Sequence, residues 1–336
     1  NEKTLANMFS EAGYKTGAFG KWHLGDNYPF RAEDRGFQET VMHGGGGVQQ
    51  TPDYWNNTYF NDTYFQNGKP KKYQGYCTDV FFKEAIDFIK RNKDNPFFCY
   101  IAPNAPHGPY NVPQEYYNLY KDLGDDILTV TQKRFYGMIT NIDDNFGKLR
   151  NKLKDLNVVD NTILIFMTDN GTSTGYYNKK GKITGFNDNM RGIKGSEYEG
   201  GHRVPFFIHW KNGKIATYKD INTLTAHIDI MPTLAELCGI KLPNNHQPLD
   251  GKSLVPLLRG KDTLKNRMLV TDSQRIQHPE KWKNSAVIHK NWRLINGKEL
   301  YDIETDQGQK NDVAKDYPEK VIEMKVFYEN WWKQVS

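Results

Sequence analysis

The feature that most constrains the fold is an unbroken apolar run over residues 163–167, which stops on Asp169, Asn170 and Gly171. Runs without alternation are typical of a parallel-sheet strand covered on both faces, so we expect a fully buried strand here. Open α/β sheets bind ligands beyond the carboxyl ends of their strands. The oxygens of Asp169 and Asn170 suit a hard cation such as Ca²⁺ or Mg²⁺. A strand followed by an Asn-Gly turn explains the same residues without any ligand.

Other segments present polar side chains at comparable places. A predicted strand over residues 14–20 leads to Lys21 and His23, and a second apolar strand leads to a proline-rich loop that carries His107. A glycine-rich loop further along the chain contains Lys194. Each of these side chains alone also suits a structural role. We expect one anion-sized hollow to be surrounded by Lys21, His23, His107, Asp169, Asn170 and Lys194.

Composition excludes several classes of protein. The net charge is +5, but no Lys/Arg run of the kind that binds nucleic acid is present. No apolar run approaches the ~18 residues of a membrane span. The cysteines Cys77, Cys99 and Cys238 lie far apart without a C-x-x-C pair, which argues against zinc ribbons and thioredoxin chemistry. A 13% aromatic share is a weak indication of carbohydrate-binding surfaces.

The order of the apolar segments predicts an α/β fold. We expect a mostly parallel sheet sandwiched by helices over residues 1–261. Short alternating runs from residue 262 onward predict a smaller C-terminal α+β subdomain over 262–336, with a short antiparallel sheet. The four glycines 44–47 predict a flexible loop, and they lack the following Lys-Ser/Thr of a phosphate-binding loop.

Residues 171–175 match G-x-S-x-G, the nucleophile elbow of α/β-hydrolases. That elbow turns directly from a strand into a helix. The segment 176–189 is instead rich in Gly, Asn and Lys, which favours a loop, so a serine hydrolase is a minor alternative.

Taken together, these segments resemble the formylglycine-dependent sulfatases of the alkaline-phosphatase superfamily. The resemblance extends over essentially the whole chain, with the blocks in the family's order. Residues 13–25 resemble the second sulfatase signature, and this block is the most specific. The remaining matching blocks are 105–107, 168–171, 191–195, 198–201, 227–229, 250–251 and 300–302.

The resemblance implies a reaction and part of its machinery. The fold would be alkaline-phosphatase-like, and the reaction would be hydrolysis of a sulfate monoester. Asp169 and Asn170 would be Ca²⁺ ligands, with Mg²⁺ as an alternative. Lys21 and Lys194 would neutralise the sulfate oxygens.

The resemblance also gives roles to two histidines and points to a substrate. His23 would contact the nucleophile, and His107 would serve near the leaving-group oxygen. The substrate would be a sulfated saccharide or an aryl sulfate, and the protein would be exported or lysosomal. Polar residues of the small subdomain that could reach a sugar are Gln274, Arg275, Gln277 and His278, although the pattern favours ordinary surface polar residues.

One departure from the family is large. The family's nucleophile is a Cys or Ser in a C/S-x-P/A-S-R motif, converted to formylglycine, and these 336 residues contain no such motif. We expect the motif, and a strand with paired aspartates, upstream of Asn1. The chain alone is then predicted to be inactive, to bind Ca²⁺ weakly and to expose unpaired strand edges. The alternatives are a phosphodiesterase or phosphonate hydrolase of the same superfamily, and a truncated, non-catalytic glycan-binding remnant.

Overall fold

The structure is a computed structural model that describes residues 2–179, 182–216, 218–242, 248–261, 264 and 266–336. The chain forms two compact units. The first unit comprises Asn1–Thr162, Trp210–Gly213 and His227–Val255. The second unit comprises Ile163–His209, Lys214–Ala226 and Pro256–Ser336. The expected domain boundary between residues 261 and 262 stays a prediction.

The α-helices are α1 (Leu5–Glu11), α2 (Cys77–Asn92), α3 (Gln114–Asn118), α4 (Val130–Asp155), α5 (Glu199–His202), α6 (Ile230–Leu237), α7 (Val255–Leu258) and α8 (Pro318–Val335). The strands are β1 (Lys15–Gly20), β2 (Glu39–Met42), β3 (Thr63–Gln66), β4 (Lys69–Lys72), β5 (Phe97–Ala102), β6 (Leu164–Met167), β7 (Tyr176–Lys179), β8 (Lys182–Gly185), β9 (Phe206–His209), β10 (Met268–Asp272), β11 (Ser285–His289), β12 (Trp292–Ile295) and β13 (Glu299–Asp302).

The first unit is built on a five-stranded sheet with the order β4-β3-β2-β1-β5. Strand β1 is parallel to both β2 and β5, and β3 and β4 extend the sheet in antiparallel fashion. Neighbouring residues of β1 point to opposite faces. Phe19 contacts Phe88 of α2, with ring centroids 5.7 Å apart, while Ala18 belongs to a buried cluster with Ala6 of α1. Helices therefore cover both faces, and the predicted α/β layering is confirmed.

The second unit contains the predicted C-terminal antiparallel sheet, in the order β10-β11-β12-β13. Helix α8 packs on this sheet through Met324 and Tyr328, both fully buried, which contact Val287, Leu294 and Leu300. The alternating apolar residues of the short strands face α8, so the period-2 pattern correctly predicted this layer.

Strand β6 differs from the expectation of a fully buried strand in a parallel sheet. It pairs in antiparallel fashion with β9, and its residues are half-buried. In β9, Phe207 is 66% exposed, whereas its neighbours Phe206 and Ile208 are half-buried. Alternate residues of β9 are exposed to solvent, so among the described residues this two-stranded sheet is covered mainly on one of its faces. An unbroken apolar run does not by itself specify parallel pairing.

Two further expectations concern the class of protein. The segment after residues 171–175 forms the hairpin β7–β8 and not a helix, so the strand-to-helix turn of a nucleophile elbow is not formed there. None of the helices in the described ranges combines the length and apolar character of a membrane span.

We predict that Leu294→Ala lowers the free energy of unfolding by about 2–5 kcal/mol, because it leaves a cavity between the C-terminal sheet and α8. Leu294 is fully buried. Urea unfolding followed by circular dichroism measures the change. The matched control is Ile322→Ala on α8, at a side chain that is 61% exposed. It should stay within about 0.5 kcal/mol of the wild type, and equal losses would contradict this packing.

Candidate functional site

In the first unit, three neighbouring strands end at the same edge of the sheet. The amide of His43, directly after β2, donates to the carbonyl of Gly20 at 3.1 Å. The amide of Lys21, directly after β1, donates to the carbonyl of Ala102 at 2.7 Å. Strand β5 ends at Ala102 and leads to the loop with His107. Because parallel strands end together, His43, Lys21 and the His107 loop emerge at one edge, where α/β sheets bind ligands.

A buried tyrosine, Tyr59, fixes the position of the His107 loop. The Tyr59 hydroxyl donates to the carbonyl of His107 at 2.6 Å, and the Asn104 side-chain amide donates to the Tyr59 hydroxyl. Burial raises the pKa of Tyr59 strongly, so the phenol stays protonated. His107 Nδ1 lies 2.7 Å from the carbonyl of Gly108, which assigns the proton to Nδ1. Nε2 of His107 is then the atom able to exchange a proton with a ligand.

His23 is an exposed side chain with φ 57°, in the left-handed region that few non-glycine residues adopt. A Cβ added to Gly46 would lie 2.7 Å from both Cε1 and Nε2 of His23. The glycines 44–47 are all buried, and the amides of Gly44 and Gly45 donate to Asp53 and Asp26. The expectation of a flexible loop is therefore wrong. Gly46 allows close packing against His23.

His43 is a residue that the sequence analysis missed. It is 3% exposed, its Nδ1 lies 2.9 Å from the carbonyl of Gly44, and its buried Nε2 has no hydrogen-bond partner among the described residues. Burial lowers the pKa of His43 to about 4, and the nearby charges of Lys21 and His107 act in the same direction. The ring is thus neutral at pH 7. Its place directly after an apolar strand was the available indication.

In the second unit, the glycine-rich loop with Lys194 is fastened to the end of β6. The amide of Lys194 donates to the carbonyl of Thr172 at 2.8 Å, and the amide of Gly171 donates to the carbonyl of Gly201 at 3.0 Å. A Cβ on Gly171 would lie 1.8 Å from the carbonyl oxygen of Gly200. The approach therefore requires glycine. It brings Lys194 and Asn170 into the wall of one cavity.

This cavity of the second unit has a volume of about 190 Å³. Lys194, Asn170 and Arg275 line it, together with Glu197, His202 and Asp272. Neither Lys194 nor Arg275 has an ion-pair partner among the residues that the structure describes. The two cations are therefore available to an anion, which is the property expected of Lys194.

The four residues predicted to reach a sugar differ in their surroundings. Arg275 is exposed and lines the cavity. Gln274 uses its amide within its own loop, since Nε2 donates to Asp272 at 2.8 Å and Oε1 accepts from the amide of Glu280 at 2.8 Å. Gln277 and His278 are exposed and are not among the lining residues of this cavity.

A buried charge cluster anchors the Lys194 loop to the C-terminal sheet. Glu199 is 1% exposed and accepts hydrogen bonds from Arg293 and from Arg203. Burial alone would raise the pKa of Glu199, but the charge and hydrogen bond of Arg293, the nearby His202 and the hydrogen bond from Arg203 hold it below its usual value. The backbone amide of Glu199 donates to the side chain of Gln309 at 2.8 Å.

The start of the same loop is fixed by a stacked guanidinium. Arg191 lies over the ring of Tyr198 at 3.7 Å and donates to the Tyr301 hydroxyl at 3.1 Å. Glu299 accepts from both phenols, at 2.9 Å from Tyr198 and 2.7 Å from Tyr301. Both ends of the loop that carries Lys194 are therefore held by side chains of the C-terminal sheet.

The side-chain oxygens of Asp169 and Asn170 are the type of ligand that a hard cation prefers, but they are too few to complete its coordination shell. Asp169 is exposed and accepts the amide of Asn170 at 2.9 Å, while the side-chain amide of Asn170 donates to the carbonyl of Gly171. Calcium takes six to eight oxygen ligands. No group of three His, Cys, Asp or Glu side chains suited to a metal occurs in the described part of the chain. Two residues supply only part of a shell.

Comparison with known proteins identifies the family. The sulfatase family profile matches residues 1–240, and the profile named N-sulphoglucosamine sulphohydrolase, C-terminal, matches residues 194–330. An arylsulfatase from Hemicentrotus pulcherrimus is 30% identical over 77% of this chain and 46% of its own length. An N-acetylgalactosamine-6-O-sulfatase from Bacteroides thetaiotaomicron is 26% identical over 97% of this chain and 76% of its own length.

A solved structure agrees with this assignment. The crystal structure of Ps i-CgsB in complex with k-i-k-neocarrahexaose has a TM-score of 0.83 and 30% identity, over 98% of this chain and 74% of that one. The chain therefore belongs to the sulfatase family, and the predicted alkaline-phosphatase-like fold is confirmed. It spans about half the length of several curated relatives, for example 46% and 55% of two of them.

We predict that Gly46→Ala displaces the His23 ring, because the new methyl group would overlap Cε1 and Nε2. The strain should cost stability at the lower end of about 1–3 kcal/mol, since the clash falls on the far end of a side chain. The ring resonances of His23 in two-dimensional NMR spectra and urea unfolding measure both effects. Gly147→Ala on α4, where no atom lies within 4 Å, is the control. It should stabilise the protein by about 0.4–1 kcal/mol. Unmoved His23 resonances in Gly46→Ala would contradict the packing.

We predict that Arg293→Leu destabilises the second unit by about 3–5 kcal/mol at pH 7, because it leaves the Glu199 carboxylate buried without its main partner. The pKa of Glu199 is lower in the folded state than in the unfolded state. The stabilisation is therefore complete above about pH 5 and is lost as the pH falls through the folded-state pKa. Urea unfolding between pH 7 and pH 3 tests this.

The control for that experiment is Arg203→Leu. The Arg203 side chain is 55% exposed and donates to the same carboxylate at 3.1 Å. Its loss should cost at most about 1 kcal/mol, as for surface ion pairs. If both variants lose equal stability, or if Arg293→Leu keeps the pH dependence of the wild type, the buried cluster is not the anchor.

Proposed function

We propose that the protein hydrolyses sulfate monoesters carried on a saccharide or an aryl group. The observation that supports this most is the cavity of the second unit, where Lys194 and Arg275 lie beside Asn170 without ion-pair partners among the described residues. Two such cations in one small cavity suit a doubly charged or singly charged oxyanion. Membership of the sulfatase family supports sulfate as that anion.

The chemistry of the ester agrees with the residue types. Cleavage of the S–O bond leaves negative charge on the departing oxygen and on the SO₃ group. Fixed ammonium groups stabilise such charge more strongly in a cavity than in water, and we assign this role to Lys194 and Lys21. We assign protonation of the departing oxygen to Nε2 of His107, because Nδ1 faces the carbonyl of Gly108. His23 is assigned a contact with the nucleophile.

We propose that Asp169 and Asn170 contribute to binding Ca²⁺, or Mg²⁺. When bound, the cation would supply positive charge to the sulfate oxygens. Because these two residues provide only part of a coordination shell, the chain alone should bind the ion weakly.

We propose that the nucleophile is a formylglycine that lies outside these 336 residues. None of the cysteines here stands in the required motif. Burial also raises the pKa of the Cys77 and Cys99 thiols, so neither supplies a reactive thiolate at pH 7.

For the substrate, we propose a sulfated saccharide. The relative from Bacteroides thetaiotaomicron is named for N-acetylgalactosamine 6-O-sulfate, and the similar crystal structure contains a neocarrahexaose. Export from the cytoplasm is part of the same proposal, since sulfated saccharides are extracellular materials.

We predict that the complete gene product hydrolyses 4-nitrophenyl sulfate and that Lys194→Ala lowers kcat/KM by about 10²–10³-fold, as expected for removal of a charge-stabilising group. Release of 4-nitrophenol measures the rate. Lys298→Ala is the matched control, since Lys298 is an exposed lysine of the same unit outside the cavity lining. It should keep the wild-type rate.

Two comparisons separate the alternatives. Faster hydrolysis of bis-(4-nitrophenyl) phosphate than of the sulfate would indicate a phosphodiesterase, and absence of both activities would indicate a non-catalytic protein. The 336-residue chain by itself should give no turnover, and clear turnover would refute the proposal of an external nucleophile.

A further inference from the structure

The cavity of the second unit carries side chains of both charges. Lys194 and Arg275 contribute two cations, while Glu197 and Asp272 contribute two carboxylates. A cavity that bound only an inorganic anion would gain nothing from carboxylates, which repel it. The volume of about 190 Å³ is below the range of drug-sized pockets, about 300–1,000 Å³, and leaves room for a single small ring.

Asp272 is the better placed of the two carboxylates. It ends β10, and one of its oxygens accepts from Nε2 of Gln274 at 2.8 Å. The other oxygen lies 3.4 Å from the hydroxyl of Tyr328, a fully buried ring stacked on Trp282 at 3.6 Å. A carboxylate offers about four acceptor positions, so two such bonds leave capacity for a ligand. Glu197 accepts the same number of hydrogen bonds, from Asn296 and Ser196, but it lies in the loop of Lys194, whereas Asp272 ends a strand and contacts a fully buried tyrosine.

Gln274 holds this carboxylate in place. Its Nε2 donates to Asp272 and also to the carbonyl of Glu280 at 2.9 Å, while its Oε1 accepts the amide of Glu280 at 2.8 Å. Both donor positions and one acceptor position of the Gln274 amide are therefore used in closing the loop 274–280, and Gln274 does not line the cavity. It acts on a ligand only through Asp272, so it is a positioning residue.

We propose that Asp272, positioned by Gln274, accepts hydrogen bonds from the ring hydroxyl groups of a sulfated monosaccharide unit whose sulfate lies against Lys194 and Arg275. This rests on the proposed sulfatase function and extends it. Sugar hydroxyls donate to a carboxylate, whereas an aryl sulfate has no ring donor. Asp272 thus favours saccharide sulfates over aryl sulfates, because only the saccharide can use the remaining acceptor positions of this half-buried carboxylate.

The test measures selectivity in the complete gene product. The best substrate from a panel of sulfated monosaccharides is compared with 4-nitrophenyl sulfate, and the ratio of the two kcat/KM values is recorded. Asp272→Ala should lower this ratio at least tenfold, mainly through KM for the sugar. Gln274→Ala should lower it in the same direction but less. Gln277→Ala, at an exposed position of the same loop, is the control and should keep the ratio.

An unchanged ratio in Asp272→Ala, or an equal loss on both substrates, would overturn the inference. If the wild type cleaves no sulfate ester, the proposed function fails, and binding then decides the inference separately. Calorimetric titration with the same sugar sulfates should show binding that Asp272→Ala weakens at least tenfold and Gln277→Ala does not. Equal binding by both variants, or no binding by the wild type, would overturn it.

Discussion

The second unit depends on a close backbone contact between two segments that are distant in sequence. The amides of Gly171 and Lys194 each donate to a carbonyl of the other segment. The two segments approach so closely that a side chain at Gly171 has no room. This contact joins the strand end with Asn170 to the loop with Lys194. Because backbone groups make it, the position of Lys194 follows from the fold itself. The buried Glu199–Arg293 pair then fixes the far end of the loop.

The first unit reaches a similar result by strand order. Strands β2, β1 and β5 are parallel neighbours that end at one edge, so the residues that follow them lie close together there. Buried polar groups then set the orientation of the side chains. Tyr59 fixes the His107 loop through a carbonyl, and Gly46 lies against His23. The scaffold is apolar and periodic, whereas the edge is polar and irregular, which is the usual division between stability and function.

The sequence predicted what periodicity encodes. The C-terminal antiparallel strands, for example, lie where the alternation of apolar and polar residues indicated them. Pairing was harder, because an apolar run such as β6 has no feature that selects an antiparallel neighbour. His43 was missed because burial, not residue type, makes it unusual. Gln274 was expected to contact a sugar, but it forms hydrogen bonds to Asp272 and Glu280, which are close to it in sequence. Such hydrogen-bond partners cannot be identified from a single sequence.

The tight approach at Gly171 also has a genetic consequence. Every missense change in its codon introduces at least a Cβ, and that atom would fall 1.8 Å from a main-chain oxygen that cannot rotate away. Size and polarity of the new residue are then secondary, since the first carbon already collides. The codon should tolerate only synonymous variation, in contrast to Gly147, where a methyl group meets empty space.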